Sequence, residues 1–398
     1  MMHSVLITIQ IVAAVGIFSS SLYYLLCLWS AALFIREREA SKACPEPAEW
    51  GARSTQALPP ISILKPLKGA DPEMYESLRS HCLQDYPEYE IIFGVSDPSD
   101  PAIDSVKELQ REFPDRRIQL LVSSQILGAN VKVSNLAQMV TEASYDYLIV
   151  NDSDIRVQPD YLRRVTAPLA DPQVGMATCF YRGVSDSTLG SRLEALGIST
   201  DFCAGVLVAL QLEGGIRFGL GSSLAFRRAE LEKIGGFISF VDYLADDYEL
   251  GKRIAGLGLK VELSHIVVET FLPFYSLQDF VAHQLRWARG IRDARPGGYL
   301  GLFFTFGLMW ALLAVVVSGG VSWAWSAFAI TLFLRLAVAF VVGRSVLHDP
   351  QVVRDAWLIP LRDLIAVGVW IASLGGHTVT WRGERFRLEK GKLARLEP

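Results

Sequence analysis

The sequence predicts an α/β fold: a doubly wound, mainly parallel sheet flanked by membrane-spanning helices near both ends of the chain. Three observations carry this expectation. Between residues 61 and 180, short apolar runs alternate with longer segments of helical periodicity, the rhythm of a parallel sheet with crossover helices. Apolar segments of bilayer length stand before and after that stretch. Finally, an apolar run at 147–150 ends abruptly in Asn151-Asp152-Ser153-Asp154. Ligands of open α/β sheets bind just beyond such strand ends.

Composition agrees with that division. Of the 398 residues, 51% are hydrophobic and the mean hydropathy is +0.28, high for a soluble protein. The excess sits at the two ends. A formal net charge of -4 gives no sign of a nucleic-acid binder, which usually shows a basic stripe. The cysteines, Cys27, Cys44, Cys82, Cys179 and Cys203, show neither CxxC pairing nor metal-ligand spacing. They are expected as reduced, mostly buried thiols in a domain that faces a reducing compartment.

In chain order, residues 1–39 form an N-terminal anchor. Its stretch 5–34 carries no charge and exceeds both the roughly twenty residues of a span and the core of a signal peptide. Arg36, Arg38 and Lys42 follow at once, which places the N-terminus outside and the next domain in the cytoplasm. Residues 40–60, rich in Ala, Pro, Glu and Ser, read as a loose linker. The main domain, 61–298, opens with strands at 61–64, 90–95, 118–122 and 147–150. Helices at 72–83, 102–113 and 130–141 lie between them. Two of these strands deliver carboxylates, Asp97 and Asp152, to the same sheet edge.

Beyond that edge the pattern predicts a helix at 160–169 and a strand at 174–180. The segment 189–212 is long, weakly amphipathic and low in charge; a place against the membrane and a place over the cleft both fit. Small residues at 219–225 allow close backbone approach to a ligand, though a plain turn into a strand fits too. Asp246 and Asp247 open a predicted helix. A helix dipole accounts for one acid there more readily than for two. The helix 276–292 carries His283-Gln284-Leu285-Arg286-Trp287, and Arg286, Arg289, Arg292 and Arg295 recur at spacing three. Arg292 and Arg295 read as a juxtamembrane basic face for anionic lipid headgroups. Arg286 beside Trp287 suits a diphosphate.

Residues 299–380 follow as C-terminal membrane segments, with spans expected at 299–317 and 323–342 around the turn Ser318-Gly319-Gly320. Arg335 interrupts the second and requires a partner. The segment 364–379, containing His377, is shorter. The basic tail, 381–398, favours a cytoplasmic end, whereas an outside N-terminus with four full spans puts it outside. One C-terminal segment is therefore expected to be re-entrant.

Two carboxylates one residue apart at a strand end suit a hard divalent cation that bridges to phosphate oxygens. A polar turn with an Asx cap is the plainer alternative. The order of features then becomes specific: Asp97, Asp152-x-Asp154, Asp246-Asp247, and a His-Gln-Leu-Arg-Trp helix. This series resembles inverting, GT-A-fold glycosyltransferases of the family 2 and family 21 type, with their D, DxD, (E/D)D and (Q/R)xxRW motifs, over residues 60–295. It looks most like the ceramide glucosyltransferases and their bacterial relatives associated with hopanoid biosynthesis. The residues that carry this are Ile63-Leu64-Lys65-Pro66-Leu67-Lys68-Gly69, Asp97 with Asp100-Pro101-Ala102-Ile103-Asp104, Asn151 to Val157, and Thr380-Trp381-Arg382-Gly383. His283 departs from the motif's first position, and Asp246-Asp247 replaces Glu-Asp.

The resemblance implies a multi-pass enzyme of the inner, cytoplasmic membrane with its catalytic domain in the cytoplasm. Its donor would be a UDP-sugar. Asp97 would meet the uracil or ribose, and Lys65 and Lys132 would place positive charge at the nucleotide. Asp154, with Asp152, would hold Mg²⁺ or Mn²⁺. Asp247 would act as base, with Asp246 as its nearest replacement, and His283, Arg286 and Trp287 would meet the departing diphosphate. The acceptor would be a membrane lipid. The His283–Arg289 run favours a bacteriohopanepolyol with UDP-N-acetylglucosamine; ceramide with UDP-glucose is the alternative. A processive polysaccharide synthase shares the motifs but needs more spanning helices for a polymer channel.

Overall fold

A computed structural model describes residues 2–43, 58–381 and 383–396. Its chain forms two compact units. A sheet unit comprises residues 41–186, 213–273 and 384–398; a helical unit comprises 1–40, 187–212 and 274–383. The segment 187–212 and the whole 277–294 helix therefore group with the apolar helices and not with the sheet, unlike the division at residue 298 drawn from sequence. Residues 44–57 of the expected 40–60 linker, Cys44 among them, and Arg382 lie outside the described residues.

The sheet unit begins with β1 (Ile61–Pro66), α1 (Met74–Cys82), β2 (Tyr89–Val95), α2 (Ala102–Glu112), β3 (Arg117–Val122), α3 (Val131–Glu142) and β4 (Tyr147–Val150). It continues with β5 (Ile155–Arg156), α4 (Tyr161–Thr166), β6 (Val174–Val184), β7 (Leu224–Arg227), α5 (Arg228–Lys233), α6 (Asp246–Gly256) and β8 (Lys260–Phe271). These strands form one sheet in the order β3-β2-β1-β4-β7-β6-β8-β5. The half β3-β2-β1-β4 is parallel throughout, as the alternation of strand and helix predicts. Beyond β4 the sheet is mixed: β7 runs antiparallel to both neighbours, β6 pairs parallel with β8, and β5 closes antiparallel on β8.

Every residue of β1 and β2 is buried, the condition that makes their sequences mostly apolar; the exceptions Ser62 and Glu90 hydrogen-bond each other at 2.7 Å, and Lys65 stands near the carboxyl end of β1. By contrast β3, at the edge, is exposed or half-buried throughout and begins with a charge, a usual protection of a free edge. Ile63, Ile91, Phe93, Ile149, Ala225 and Val268 belong to the core that joins the strands to the helices.

The expected basic tail is not loose. Glu384–Glu389 and Lys392–Arg395 pair as an antiparallel hairpin, tied to the loop before α6 by Leu244 N–H to the Gly391 carbonyl (3.1 Å) and Leu393 N–H to the Asp242 carbonyl (2.7 Å).

Among the described residues of the helical unit, four helices are long and apolar enough to cross a membrane: His3–Ala40, Leu189–Leu212, Ser322–Val346 and Gln351–Leu374. The span expected at 299–317 is broken. Pro296–Thr305 and Gly307–Val317 meet at 49°, and the Phe303 carbonyl, in the last turn before the break, accepts from Trp310 Nε1 at 3.0 Å. Trp310 in turn lies on Gly16 of the N-terminal helix, where a Cβ would stand 2.2 Å from its ring. The last helix ends at Leu374, so His377 falls outside it and Thr378–Trp381 is a short strand. Cys27, Cys82, Cys179 and Cys203 are buried thiols outside any disulfide, as expected.

Arg335 has the partner its position demands. Asp363 receives it bidentately at 2.8 and 2.9 Å, and the Thr200 carbonyl accepts from it at 3.2 Å. Replacing Arg335 alone by leucine strands a buried carboxylate. We expect Arg335→Leu to cost about 3–5 kcal/mol, read as a lower melting temperature of the detergent-solubilised protein. Arg335→Leu/Asp363→Leu should recover most of the loss; equal melting of the single and double variants would contradict this.

Candidate active site

Three neighbouring strands aim their carboxyl ends at one edge. β2 leads into Asp97, β1 ends near Lys65, and β4 leads into Asp152 and Asp154. Asp97 is exposed in a tight turn, where its carboxylate accepts from Ser99 N–H (2.8 Å) and Oγ (2.6 Å). These donors lower its pKa. Asp100 joins the adjoining loops by accepting from Gly69 N–H at 3.0 Å and Ala102 N–H at 2.9 Å. Gly69 takes φ +76° there, a conformation that favours glycine.

Lys65 has no accessible surface. Its Nζ donates to the Asp152 carbonyl at 3.0 Å and lies 3.4 Å from His81 Nε2. His81 Nδ1 is 3.0 Å from the Ser77 carbonyl. That nitrogen must carry the proton, so Nε2 is the acceptor facing Lys65. Burial, and then the charge of Lys65, push the His81 pKa well below the usual value. Burial likewise lowers Lys65 to about 7, against the pull of Asp154 and Asp152. Lys65 thus reaches a bound nucleotide only through its field; its contact is with the Asp152 backbone.

Lys132 is the hub. It sits in the first turn of α3, which Asn130 caps by accepting from Val133 N–H at 3.1 Å. The Asn130 amide also donates to the Tyr243 carbonyl at 2.7 Å, so the cap is tied to the same loop that the C-terminal hairpin braces. Lys132 Nζ bridges Asp152 Oδ1 (2.8 Å) and Asp246 Oδ2 (2.9 Å). Burial opposes its charge, but the two carboxylates outweigh burial and raise its pKa.

Asp247 follows on α6. Burial and then the neighbouring Asp246 push its carboxyl up to about 6, with Lys132 acting in the opposite sense. A Cβ at Gly221 would stand 3.1 Å from Asp247 Oδ2 and 3.6 Å from Asp152 Oδ2. Both carboxylates therefore face one small space beside that glycine. Gly251 explains how α6 comes so close: a Cβ there would meet Gly219 N at 2.4 Å. Asp154 is held from β8, where Thr270 Oγ1 donates to it at 2.5 Å. Burial and then Asp152 raise its pKa to about 6.

A buried polar network supports this cluster. Asn151 Nδ2 donates to Tyr161 Oη (2.9 Å) and to the Ser222 carbonyl (2.8 Å). Thr178 Oγ1 donates to the Ser223 carbonyl (2.8 Å) and accepts from Leu220 N–H (3.0 Å). The glycine-containing loop is thereby fixed against the end of β4.

Of the residues singled out in the sequence, Lys65, Lys132, Asp152, Asp154, Asp246 and Asp247 come together, and Asp97 lies on the same sheet edge. His283, Arg286 and Trp287 stand on the Leu277–Ala294 helix of the helical unit. There the His283 ring stacks on Tyr275 at 5.6 Å and tilts over Trp287 at 5.0 Å.

Glycosyl transferase family 21 matches residues 12–394. The chain belongs to that family. Ceramide glucosyltransferase 1 of Caenorhabditis elegans is 25% identical to this glycosyltransferase over 353 residues, 84% of this chain and 72% of the worm protein. Ceramide glucosyltransferase 3 of the same organism is 24% identical over 366 residues, covering 85% and 75%. The ceramide glucosyltransferase of Komagataella phaffii is 36% identical over 124 residues, 29% of this chain and 24% of its own. In fold, the glycosyltransferase is similar to a mannosyltransferase of Pyrobaculum calidifontis, PcManGT, solved with GDP-Man and Mn2+. The TM-score is 0.50 at 19% identity, over 93% of this chain and 99% of that one. The GT-A expectation for the sheet is met.

Sequence reasoning missed His81, Thr270 and Tyr161, which hold the site from α1, β8 and α4. Each is an ordinary polar residue in a helix or strand, with no spacing to mark it. Gly221 and Gly251 did carry a signal, since each stands within a few residues of an acid pair or a small-residue run.

Proposed function

We propose that this glycosyltransferase moves a sugar from a UDP-sugar to a hydroxyl of a membrane lipid with inversion, giving a β-glycoside. The observation that carries the reading is four carboxylates, Asp152, Asp154, Asp246 and Asp247, gathered at the sheet edge beside Lys65 and Lys132, with Lys132 bridging Asp152 and Asp246. They share a chain with several helices of membrane length. The acceptor oxygen forms a bond to the anomeric carbon as that carbon's bond to the diphosphate breaks. UDP leaves with the electron pair, and the hydroxyl proton passes to Asp247.

The donor set fits Mg²⁺ or Mn²⁺. Asp154 and Asp152 supply hard oxygen ligands, and one oxygen of each is engaged by Thr270 or Lys132. Among the described residues no group of three or more His, Cys, Asp or Glu side chains is placed to hold a metal ion, so substrate phosphates would have to complete the coordination. When bound, it would neutralise charge on the leaving diphosphate. Asp97 accepts from the uracil or ribose, and Lys132 bridges Asp152 and Asp246, offsetting their mutual repulsion while adding positive field. By the motif they occupy, His283, Arg286 and Trp287 contact the departing diphosphate. The basic residues Arg36 and Arg38, in the last turns of the N-terminal helix, support a cytoplasmic catalytic unit at the inner membrane.

The names of the relatives support ceramide and UDP-glucose. The His283–Arg289 run supports a bacteriohopanepolyol and UDP-N-acetylglucosamine. Membranes containing the protein, given each labelled donor with each lipid, should yield one monoglycosylated lipid identified by mass spectrometry. A long sugar polymer in its place would overturn the reading.

A further inference from the structure

The helical unit buries an acid that its packing does not need. Glu194 lies in the Leu189–Leu212 helix between Leu193 and Leu196, which enter an apolar cluster with Phe280. Its side chain has no accessible surface. An apolar residue of similar volume would serve that packing as well or better, since a buried carboxylate is stabilised only by directed partners. Among the described residues Glu194 has two, and both belong to the His-Gln-Leu-Arg-Trp motif. His283 Nδ1 lies 3.1 Å from Oε1, and Gln284 Nε2 donates to Oε2 at 2.9 Å.

The pairing is part of an extended registration of two helices. At the start, Gly190 allows contact: a Cβ there would stand 2.7 Å from the carbonyls of Tyr275 and Ser276. Ser276 caps the Leu277–Ala294 helix in a reciprocal capping box with Asp279. One turn on, Glu194 meets His283 and Gln284. Further along, the Phe202 ring lies 6.3 Å from Trp287. The helices therefore run side by side in the same direction, and Glu194 provides the polar contact in the middle.

We infer that Glu194 is a positioning residue that orients the motif helix for the leaving diphosphate. Because the carboxylate can only accept, Nδ1 of His283 carries a proton. Nε2 is then the ring nitrogen with no protein partner among the described residues. The Tyr275 stack fixes the imidazole plane and the motif's Trp287 lies against it, so turning His283 disturbs the side chain beside Arg286. The inference rests on the reading of this helix as a diphosphate contact.

The test uses the full-length protein in nanodiscs, with UDP affinity measured by calorimetry alongside kcat, KM for the UDP-sugar, and melting temperature. Glu194→Gln sets two amide donors, its own and that of Gln284, against each other. UDP binding should weaken roughly tenfold or more, as expected for loss of hydrogen bonds to a charged group. Gln284→Leu removes one of the two contacts without burying a new polar group and should give a smaller loss. The swap Glu194→Gln/Gln284→Glu restores donor to acceptor and should recover UDP affinity to within about threefold. A lower melting temperature with unchanged UDP affinity and KM in these variants would overturn the inference. If Arg286→Ala weakens UDP binding while all Glu194 and Gln284 variants leave it intact, the positioning role falls and the reading of the helix stands. If Arg286→Ala and His283→Ala also leave UDP binding intact, that reading falls and the inference with it.

Discussion

Asp247→Asn is expected to bind UDP as the parent does and to lose lipid glycosylation by about 10²–10⁴-fold, the usual contribution of a positioned general base. Asparagine keeps the shape and the hydrogen bond from Tyr248 N–H to Oδ1 at 2.7 Å, so folding should be preserved. What it removes is the ability to take a proton. The pH dependence has a definite sign. Burial and the nearby Asp246 carboxylate raise the Asp247 carboxyl to about 6, above its ordinary value. Below that pH the residue is protonated and cannot act as base, so transfer should fall as pH drops through about 6 and level off above it. Measuring transfer to lipid and UDP binding on the same preparation separates the two effects. Near-normal turnover in Asp247→Asn would take the role from this residue, and Asp246, paired with Lys132, is the next candidate.

Removal of divalent cations should be comparably severe. A chelator, or Asp154→Asn, is expected to lower transfer by roughly 10³-fold, the rate equivalent of about 4 kcal/mol of electrostatic stabilisation. Adding back Mg²⁺ or Mn²⁺ should restore the chelated enzyme but not the variant. The geometry favours Asp154 over Asp152 as the sensitive position. Lys132 already neutralises Asp152 at 2.8 Å, whereas Asp154 is held by a neutral hydroxyl and keeps its charge for another cation. Full activity after exhaustive chelation would mean that the four acids and Lys132 act without a metal.

The parallel half of the sheet was legible because buried strands are mostly apolar, as 61–64, 90–95 and 147–150 are apart from Ser62 and Glu90, which hydrogen-bond each other at 2.7 Å. The acids were legible for the converse reason: a charge directly after such a run has nowhere to lie but at the sheet edge. Less could be read where neighbours come from distant sequence. Nothing in the series around residue 224 says that β7 inserts antiparallel beside β4, because antiparallel pairing there is decided by what β6 leaves open. The basic tail looked like a topology signal, yet its alternating residues fold into a hairpin against 242–244. The bend near residue 306 was invisible because both halves are equally apolar.

The sequence by itself determined the class of chemistry and the membrane character of this protein. Carboxylates at strand ends and uncharged segments longer than a bilayer have few other uses, and both are local properties. Only the tertiary structure decided which cation serves which acid, that Lys65 is enclosed while Lys132 bridges, and that Glu194 grips the motif helix. Those choices depend on distances between residues tens to more than a hundred positions apart, and no local pattern encodes them. The Asp152-x-Asp154 edge was therefore readable as a site in one dimension, but its electrostatic balance exists only in three.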